Sequence, residues 1–399
     1  NIYAEVNPGV VKELGDVGND LQIYDGKLWA VINCSHFVEV MDAATAKHIT
    51  QISIPTCRYI AFHGRYAYVS SYAGPVQIDP NARLGYVARI DIDRMEVIDT
   101  CTVGYQPDEI VVHGSKLYVA NSGGYRFPNY DRTISVIDLN TFTVTNTIDV
   151  AINLHRLEAD RQGYIWVSSR GDYYGYGSKT YVIDPHTETV CDSLDVPNSE
   201  MTLAGDSLYV YGTDWSYVTN EWTISYHIIN TRTREVVTDR FITDGTDRKI
   251  RMPYGVAVNR TTREFYVTDA GNYVSPGYLY CFTPEGTMKW RVRTGKTSKA
   301  LASRLVSKDA VAHFSITISA LGKADFTITA LLVAAIGAIA QSPYINRVYE
   351  YRPAPGQFVN EMPSYEEGDT PEDMARKAEE CIAHDERVLI SLGSYGNNS

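Results

Sequence analysis

The sequence repeats itself. A unit of four short hydrophobic segments recurs along most of the chain and is clearest over residues 105–150, YQPDEIVVHGSKLYVANSGGYRFPNYDRTISVIDLNTFTVTNTIDV. Residues 110–112 form a β-branched run, His113-Gly114-Ser115 a turn, and 117–120 a second run. A loop bearing Gly, Tyr and Pro spans 121–132, a third run covers 133–138, and a fourth covers 143–150. Four short strands joined by hairpin signals predict one antiparallel sheet.

The unit lies over its neighbours. DGKLWAV (25–31), HGRYAYV (63–69), HGSKLYV (113–119), RQGYIWV (161–167), GDSLYV (205–210) and TREFYV (262–267) align. Third strands repeat as VEVMD, VARID, ISVID, TYVID, SYHIIN and YLYCF. Their closing Asp or Asn, followed shortly by Thr, suits an Asx-type turn into the fourth strand. The repeated rings Trp29, Tyr68, Tyr118, Trp166, Tyr209 and Tyr266 are 39, 50, 48, 43 and 57 residues apart. A four-strand period with loops of unequal size marks a β-propeller. A sandwich of alternating strands would not repeat internally this well.

The expected fold class is therefore all-β: a seven-bladed β-propeller of four-stranded antiparallel blades, followed by the start of a small α/β segment. Six blades are counted at 19–55, 56–104, 105–151, 152–197, 198–249 and 250–295, each beginning with its innermost strand. The seventh is expected over 296–353, with 311–316 as its first strand and 346–351 as its third. Residues 10–17 resemble a fourth strand and are expected to close the ring, which would hide the sheet edges. The apolar run FTITALLVAAIGAIA (326–340) is shorter than the roughly 20 residues of a membrane-spanning helix. It fits a second strand of blade seven, an inserted helix, or a stretch of disturbed reading frame. The propeller domain is placed at 1–353. Beyond it, Thr370 and Pro371 begin a helix and 388–392 reads as a strand, too little for an independent core. Residues 354–399 are read as the start of an incomplete C-terminal domain.

A formal net charge of −12 without a basic run argues against nucleic acid. The six cysteines show no C-x-x-C and no zinc spacing. Cys34 and Cys57 fall near the same end of consecutive blades, where a disulfide is one option. The chain starts at Asn1 without a leader and reads as a mature or trimmed form.

Thirty tyrosines exceed what core strands need, so many must stand in loops. Two loop sets of a propeller reach one face: the links between blades, and the loops from second to third strands. Here that face gathers Tyr72, Tyr105, Tyr125, Phe127, Tyr130, Tyr173 and Tyr174. Trp215, Tyr217, Tyr254 and Tyr273 join them. Polar groups follow at Arg58, Arg126, Arg156, Arg170, His36 and His155. Rings and guanidinium groups supply stacking planes and donors, which suits a large, flat, polar-rimmed ligand. His36 and His155 each stand alone in a loop, so structural roles outweigh metal ligation. Asp108, Glu109, Glu158 and Glu200 are expected near the axis. A carboxylate cluster for catalysis is one reading, but no nucleophile signature accompanies them, and solvated carboxylates or salt-bridge partners of Arg58 and Arg156 are the preferred one. Opposite-face turns, with Lys116 and Thr141, are ordinary hairpin chemistry.

The segments VINCSHFVEVMD, SSYAGPVQ, GYQPDE, VANSGGYR, INLHR, SSRGDYY and MPYGVAV carry a family resemblance. They resemble the YncE-like seven-bladed propellers of Bacteroidota and, within that group, the BtuG surface lipoproteins. The resemblance covers about 19–295, and 296–342 depart from it. It implies a non-enzymatic, surface-exposed outer-membrane lipoprotein that captures cobalamin (vitamin B12) or a related corrinoid as ligand. No cofactor and no metal are expected. The implied partner is a TonB-dependent outer-membrane transporter of the BtuB type. A glycan- or protein-interaction propeller is the alternative, and a propeller hydrolase or lactonase a third.

Overall fold

The computed structural model of the chain describes residues 2–10, 14–15, 17–216, 221–272, 276–296, 298–302, 313–319 and 328–333. They form six four-stranded antiparallel sheets, each in chain order, and a three-stranded sheet. Blade one consists of Gly18–Tyr24, Lys27–Ile32, Phe37–Asp42 and His48–Ser53. The unit clearest in the sequence is blade three, with strands Pro107–His113, Lys116–Asn121, Thr133–Asp138 and Thr143–Asp149. The fold is an all-β propeller of four-stranded blades.

Stacking explains the repeat. The second strand of each blade is buried on both faces, so it reads as a continuous apolar run rather than an alternation. In blade one, Leu28, Ala30 and Ile32 pack into a cluster with Tyr3 and Leu14. Trp29 and Val31 point the other way, into a cluster shared with Cys57, Ile60, Ala67 and Val69 of blade two. The six aligned rings Trp29, Tyr68, Tyr118, Trp166, Tyr209 and Tyr266 are all buried. Tyr68, for example, joins Val119 and Leu117 of blade three. The first five of these rings span the gap to the next sheet, where burying 150–250 Å² per aromatic is a dominant stabilising term. Fourth strands face solvent: in Thr143–Asp149 only Ile148 is buried. The Asx turns form as expected, with Asp138 Oδ1 accepting from Asn140 N (2.8 Å) and Thr141 N (2.9 Å).

Innermost strands meet in succession. Gly18–Tyr24 packs on Cys57–His63, which packs on Pro107–His113, and on through Leu154–Ala159, Glu200–Ala204 and Pro253–Val258.

Three expectations need correction. The described residues form six four-stranded blades, not seven: among them the next sheet holds Ser298–Ala302, His313–Ser319 and Ile328–Val333. Of the segment expected as a first strand at 311–316, the described residues 313–316 belong to the middle strand, and 328–333 of the apolar run is the third. Residues 346–351 and 354–399, with the domain boundary at 353, lie outside the described residues. Second, the described residues of 10–17 are not strand. The N-terminal segment opens with a short helix, Ile2–Val6, docked on blade one, where Tyr3 OH donates to the buried Glu39 at 2.8 Å. Third, no disulfide joins Cys34 to Cys57, and Cys57 lies buried with its Sγ 3.4 Å from the carbonyl of Ile32.

Candidate functional site

The site grows from a recurring position. The second residue of successive innermost strands is Asn19, Arg58, Asp108, His155 and, in blade six, Tyr254. These residues come from different blades yet meet around the axis. Asn19 Nδ2 donates to the Arg58 carbonyl at 2.7 Å. Arg58 Nε donates to Asp108 Oδ1 at 3.0 Å, and His155 Nδ1 lies 3.1 Å from Asp108 Oδ2.

A bulge just after this position clamps blade to blade. Strand pairing slips between Cys57 and Ile60 in blade two, and between Leu154 and Leu157 in blade four. The slip frees backbone N–H groups, which must find acceptors once buried. Tyr59 N donates to Ser70 Oγ (3.1 Å) and Arg156 N to Ser168 Oγ (2.8 Å), serines of the neighbouring second strands. Ile60 N donates to Asp20 Oδ2 (3.0 Å) and Leu157 N to Glu109 Oε2 (2.8 Å), carboxylates of the preceding blade.

Asp108 is the hub. It is fully buried and takes Arg58, Tyr72 OH (2.9 Å) and His155, with Arg170 Nη1 at 3.7 Å. Ser70 Oγ donates to its carbonyl at 2.7 Å. Burial alone would raise its pKa. Arg58, then His155 and Arg170, overcome that and hold the carboxyl far below the usual range. His155 behaves oppositely: burial, reinforced by Arg170, drives its pKa well below 6.5 despite Asp108. It is thus a neutral imidazole, whose Nε2 accepts from Arg170 Nη2 at 2.7 Å. A second cluster adjoins. Arg156 Nη1 donates to Glu109 Oε1 at 3.1 Å, and its Nη2 to Glu200. Burial pushes Glu109 well above the ordinary range and Glu158 up to about 7, against the pull of nearby arginines. Among the described residues no three His, Cys, Asp or Glu side chains are grouped to hold a metal ion.

Above this layer stand exposed rings. Tyr125, Phe127, Tyr173 and Tyr174 are all exposed, Tyr174 by 71%. Phe127 lies 6.1 Å from Tyr130 and 6.3 Å from Tyr174, ring to ring. The loops holding them are built, not slack. Tyr125 N donates to Gln106 Oε1 (2.7 Å), and its carbonyl accepts from Asp79 N (2.9 Å) of the adjacent loop. Asp172 Oδ1 accepts the N–H groups of Tyr174, Gly175 and Tyr176. Gly171 has φ +65°, and a Cβ there would fall 1.8 Å from the Tyr176 carbonyl oxygen. Beside the rings, a cavity of about 210 Å³ opens between blades four, five and six. Its lining includes His155, Arg170, Tyr173, Glu200, Tyr211 and Tyr254.

A domain family of unknown function, DUF5074, matches residues 1–282 in sequence. The chain belongs to the DUF5074 family. No curated protein matches this DUF5074 chain. Among solved structures it is similar to hydrazine synthase of Kuenenia stuttgartiensis, with TM-score 0.62 and 16% identity over 82% of this chain and 98% of that one. It is also similar to the Pan2 WD40 domain of Neurospora crassa, with TM-score 0.52 and 12% identity over 75% of this chain and 86% of that one. At such identities the likeness concerns the propeller fold alone.

The structure divides the expected site residues of this DUF5074 chain into layers. Arg58, Tyr72 and His155 are buried support, and Arg156 is an inter-blade ion-pair residue. His36 is a loop brace, its Nδ1 accepting from Thr56 N at 3.0 Å. Arg126 covers the Tyr105 ring at 3.5 Å from its centroid and donates to the Asn129 carbonyl at 2.9 Å. Tyr125, Phe127, Tyr173 and Tyr174 are the exposed surface, with Tyr130 against Phe127. Arg170 and Tyr254 line the cavity. Trp215 lies in the strand Ser207–Ser216, opposite Trp222, and Tyr217 and Tyr273 fall outside the described residues. Sequence reading placed Asp108 and Glu200 near the axis but missed Asp108 as the hub. It also missed Ser199, Tyr211 and Thr213 in the cavity wall. A signal was present: aligned by blade, the second residue of the innermost strand changes from Asn to Arg, Asp and His. Lys116, expected in an ordinary turn, crosses to Glu188 of the next blade.

Proposed function

We propose that this chain is a non-enzymatic binding protein whose loop face captures cobalamin or a related corrinoid and passes it to a TonB-dependent outer-membrane transporter of the BtuB type. The observation that carries the reading is the group of exposed rings, Tyr125, Phe127, Tyr173 and Tyr174, on two adjacent loops. Large rings held in water by rigid loops forgo burial energy, which a flat ligand restores on covering them. The family resemblance in the sequence supplies the ligand, and the acids below the face support a binding role because Arg58 and Arg156 engage them. The protein acts with no cofactor, and the corrinoid is its cargo. It is placed at the cell surface as a lipoprotein; among the described residues no helix is long and apolar enough to cross a membrane.

Titration of cyanocobalamin into the protein by calorimetry tests the function. Saturable heat with co-elution is expected, and neither at micromolar protein would sink the corrinoid reading. The same rings favour one alternative, a glycan-interaction module, which a positive glycan array beside a negative corrinoid titration would select.

A further inference from the structure

The cavity beside the exposed rings has a chemistry of its own. Its volume of about 210 Å³ is below the few hundred Å³ of a pocket for a whole drug-sized ligand. A flat macrocycle cannot enter it, whereas one small polar group can. Arg170 stands in its wall with 28% of its side chain exposed, against 8% for Arg58.

The two arginines compete for one carboxylate. Asp108 lies 3.0 Å from Arg58 Nε but 3.7 Å from Arg170 Nη1. Arg58 therefore has the direct pair, and Arg170, which faces the cavity, is left with the longer contact. The remaining carboxylate of the wall, Glu200, is engaged by Arg156. Arg170 is also held in place: Nη2 is fixed on His155 Nε2 at 2.7 Å, and His155 is fixed in turn on Asp108 at 3.1 Å. A guanidinium with its orientation set in advance loses little entropy on taking an acceptor, and its planar fork matches an oxyanion.

We propose that the cavity between blades four, five and six is an oxyanion subsite built on Arg170, which takes a phosphate or carboxylate group. The subsite deepens the binding reading above: the flat body of a ligand lies on the rings, and a projecting acidic group enters the cavity.

The test is a titration of inorganic phosphate, and separately of acetate, followed by ligand or protein NMR at constant ionic strength. Saturable phosphate binding is expected in the wild type, at least tenfold weaker in Arg170→Ala and partly retained in Arg170→Lys. Tighter binding of phosphate than of acetate assigns a phosphate ester, and the reverse order a carboxylate. Equal binding by wild type and Arg170→Ala, or no saturable binding of either anion, overturns the subsite. Thermal melting checks the fold of each variant; should Arg170→Ala not fold, Arg170→Gln, which keeps donors without the charge, is read in its place. The corrinoid titration separates the two claims. Cyanocobalamin failing while phosphate binds removes the corrinoid and leaves the subsite; the opposite pattern removes the subsite alone.

Discussion

Arg170 Nη2 and His155 Nε2 are 2.7 Å apart, and the contact sets the proton on the imidazole. An arginine only donates, so His155 Nε2 must accept, and the ring proton sits on Nδ1, toward Asp108. One neutral histidine thus passes the orientation of a buried carboxylate to a cavity-facing guanidinium. Replacing His155 by Ala leaves a small void and removes both hydrogen bonds. We expect a loss of about 2–4 kcal/mol in urea unfolding, with anion binding weakened as well. Unchanged stability would show that the relay contributes nothing.

Asp108→Asn should cost more. It removes the one carboxylate shared by Arg58 and Arg170 and leaves cationic groups uncompensated below the face. Breaking a buried pair on one side costs about 3–5 kcal/mol. The sign with pH follows from a carboxyl held far below its usual range. Its contribution is fully present above the ordinary carboxylate pKa of about 4 and is lost as pH falls toward the folded value. The difference in stability between wild type and Asp108→Asn should therefore shrink below about pH 4. A difference independent of pH down to 2 would contradict the assignment.

Glu158 acts in the opposite direction. Burial raises its carboxyl to about 7, so the folded chain holds a proton there that the unfolded chain releases near pH 4.3. Stability should fall as pH rises from about 4.5 to 7, by about 1–2 kcal/mol once its partial exposure is allowed for. Glu158→Gln should flatten that part of the profile and stabilise the protein at pH 8. Chemical denaturation of both proteins across this range measures the slope directly.

Tyr59 offers a cheap substitution. It is 1% exposed, and its hydroxyl meets no hydrogen-bond partner among the described residues. Burying a hydroxyl without a partner is unfavourable. Tyr59→Phe should therefore change stability by no more than about 0.5 kcal/mol on the destabilising side. A larger loss would mean that the hydroxyl has an ordered partner, such as a bound water, at the axis.

The exposed rings separate binding from folding. Phe127 is 44% exposed, so Phe127→Ala should leave unfolding within about 0.5–1 kcal/mol of wild type. Cyanocobalamin affinity should drop by about tenfold or more. Thr141→Ala, in an opposite-face turn, is the control and should bind as wild type; Lys116 is unsuitable because it joins blades three and four. Equal affinities for all three proteins would remove the rings from the site.

The architecture was legible because the information is local and repeated. Trp29, Tyr68, Tyr118, Trp166, Tyr209 and Tyr266 announce the second strands, and Asp42 and Asp138 announce the turns, since strand pairing and Asx capping involve residues a few positions apart. The clustering of aromatic loops on one face followed from the same period. The last sheet was less legible, because the Ala-rich run 326–340 lacks the turn residues that mark the other blades.

Which of those loop residues face solvent was decided only by tertiary structure. Tyr72 and Tyr125 look alike in sequence, yet Tyr72 is buried on Asp108 while Tyr125 stands exposed 6.3 Å away, ring to ring. Asp108 became a hub for the same reason: Arg58 is 50 positions away and His155 is 47, with their blades brought together at the axis. By itself the sequence determined the blade, its period and the face that carries the rings, because each blade folds from adjacent segments. Ring closure decided the charge network, the neutral state of His155 and the cavity behind Arg170, because those depend on distances between residues of different blades.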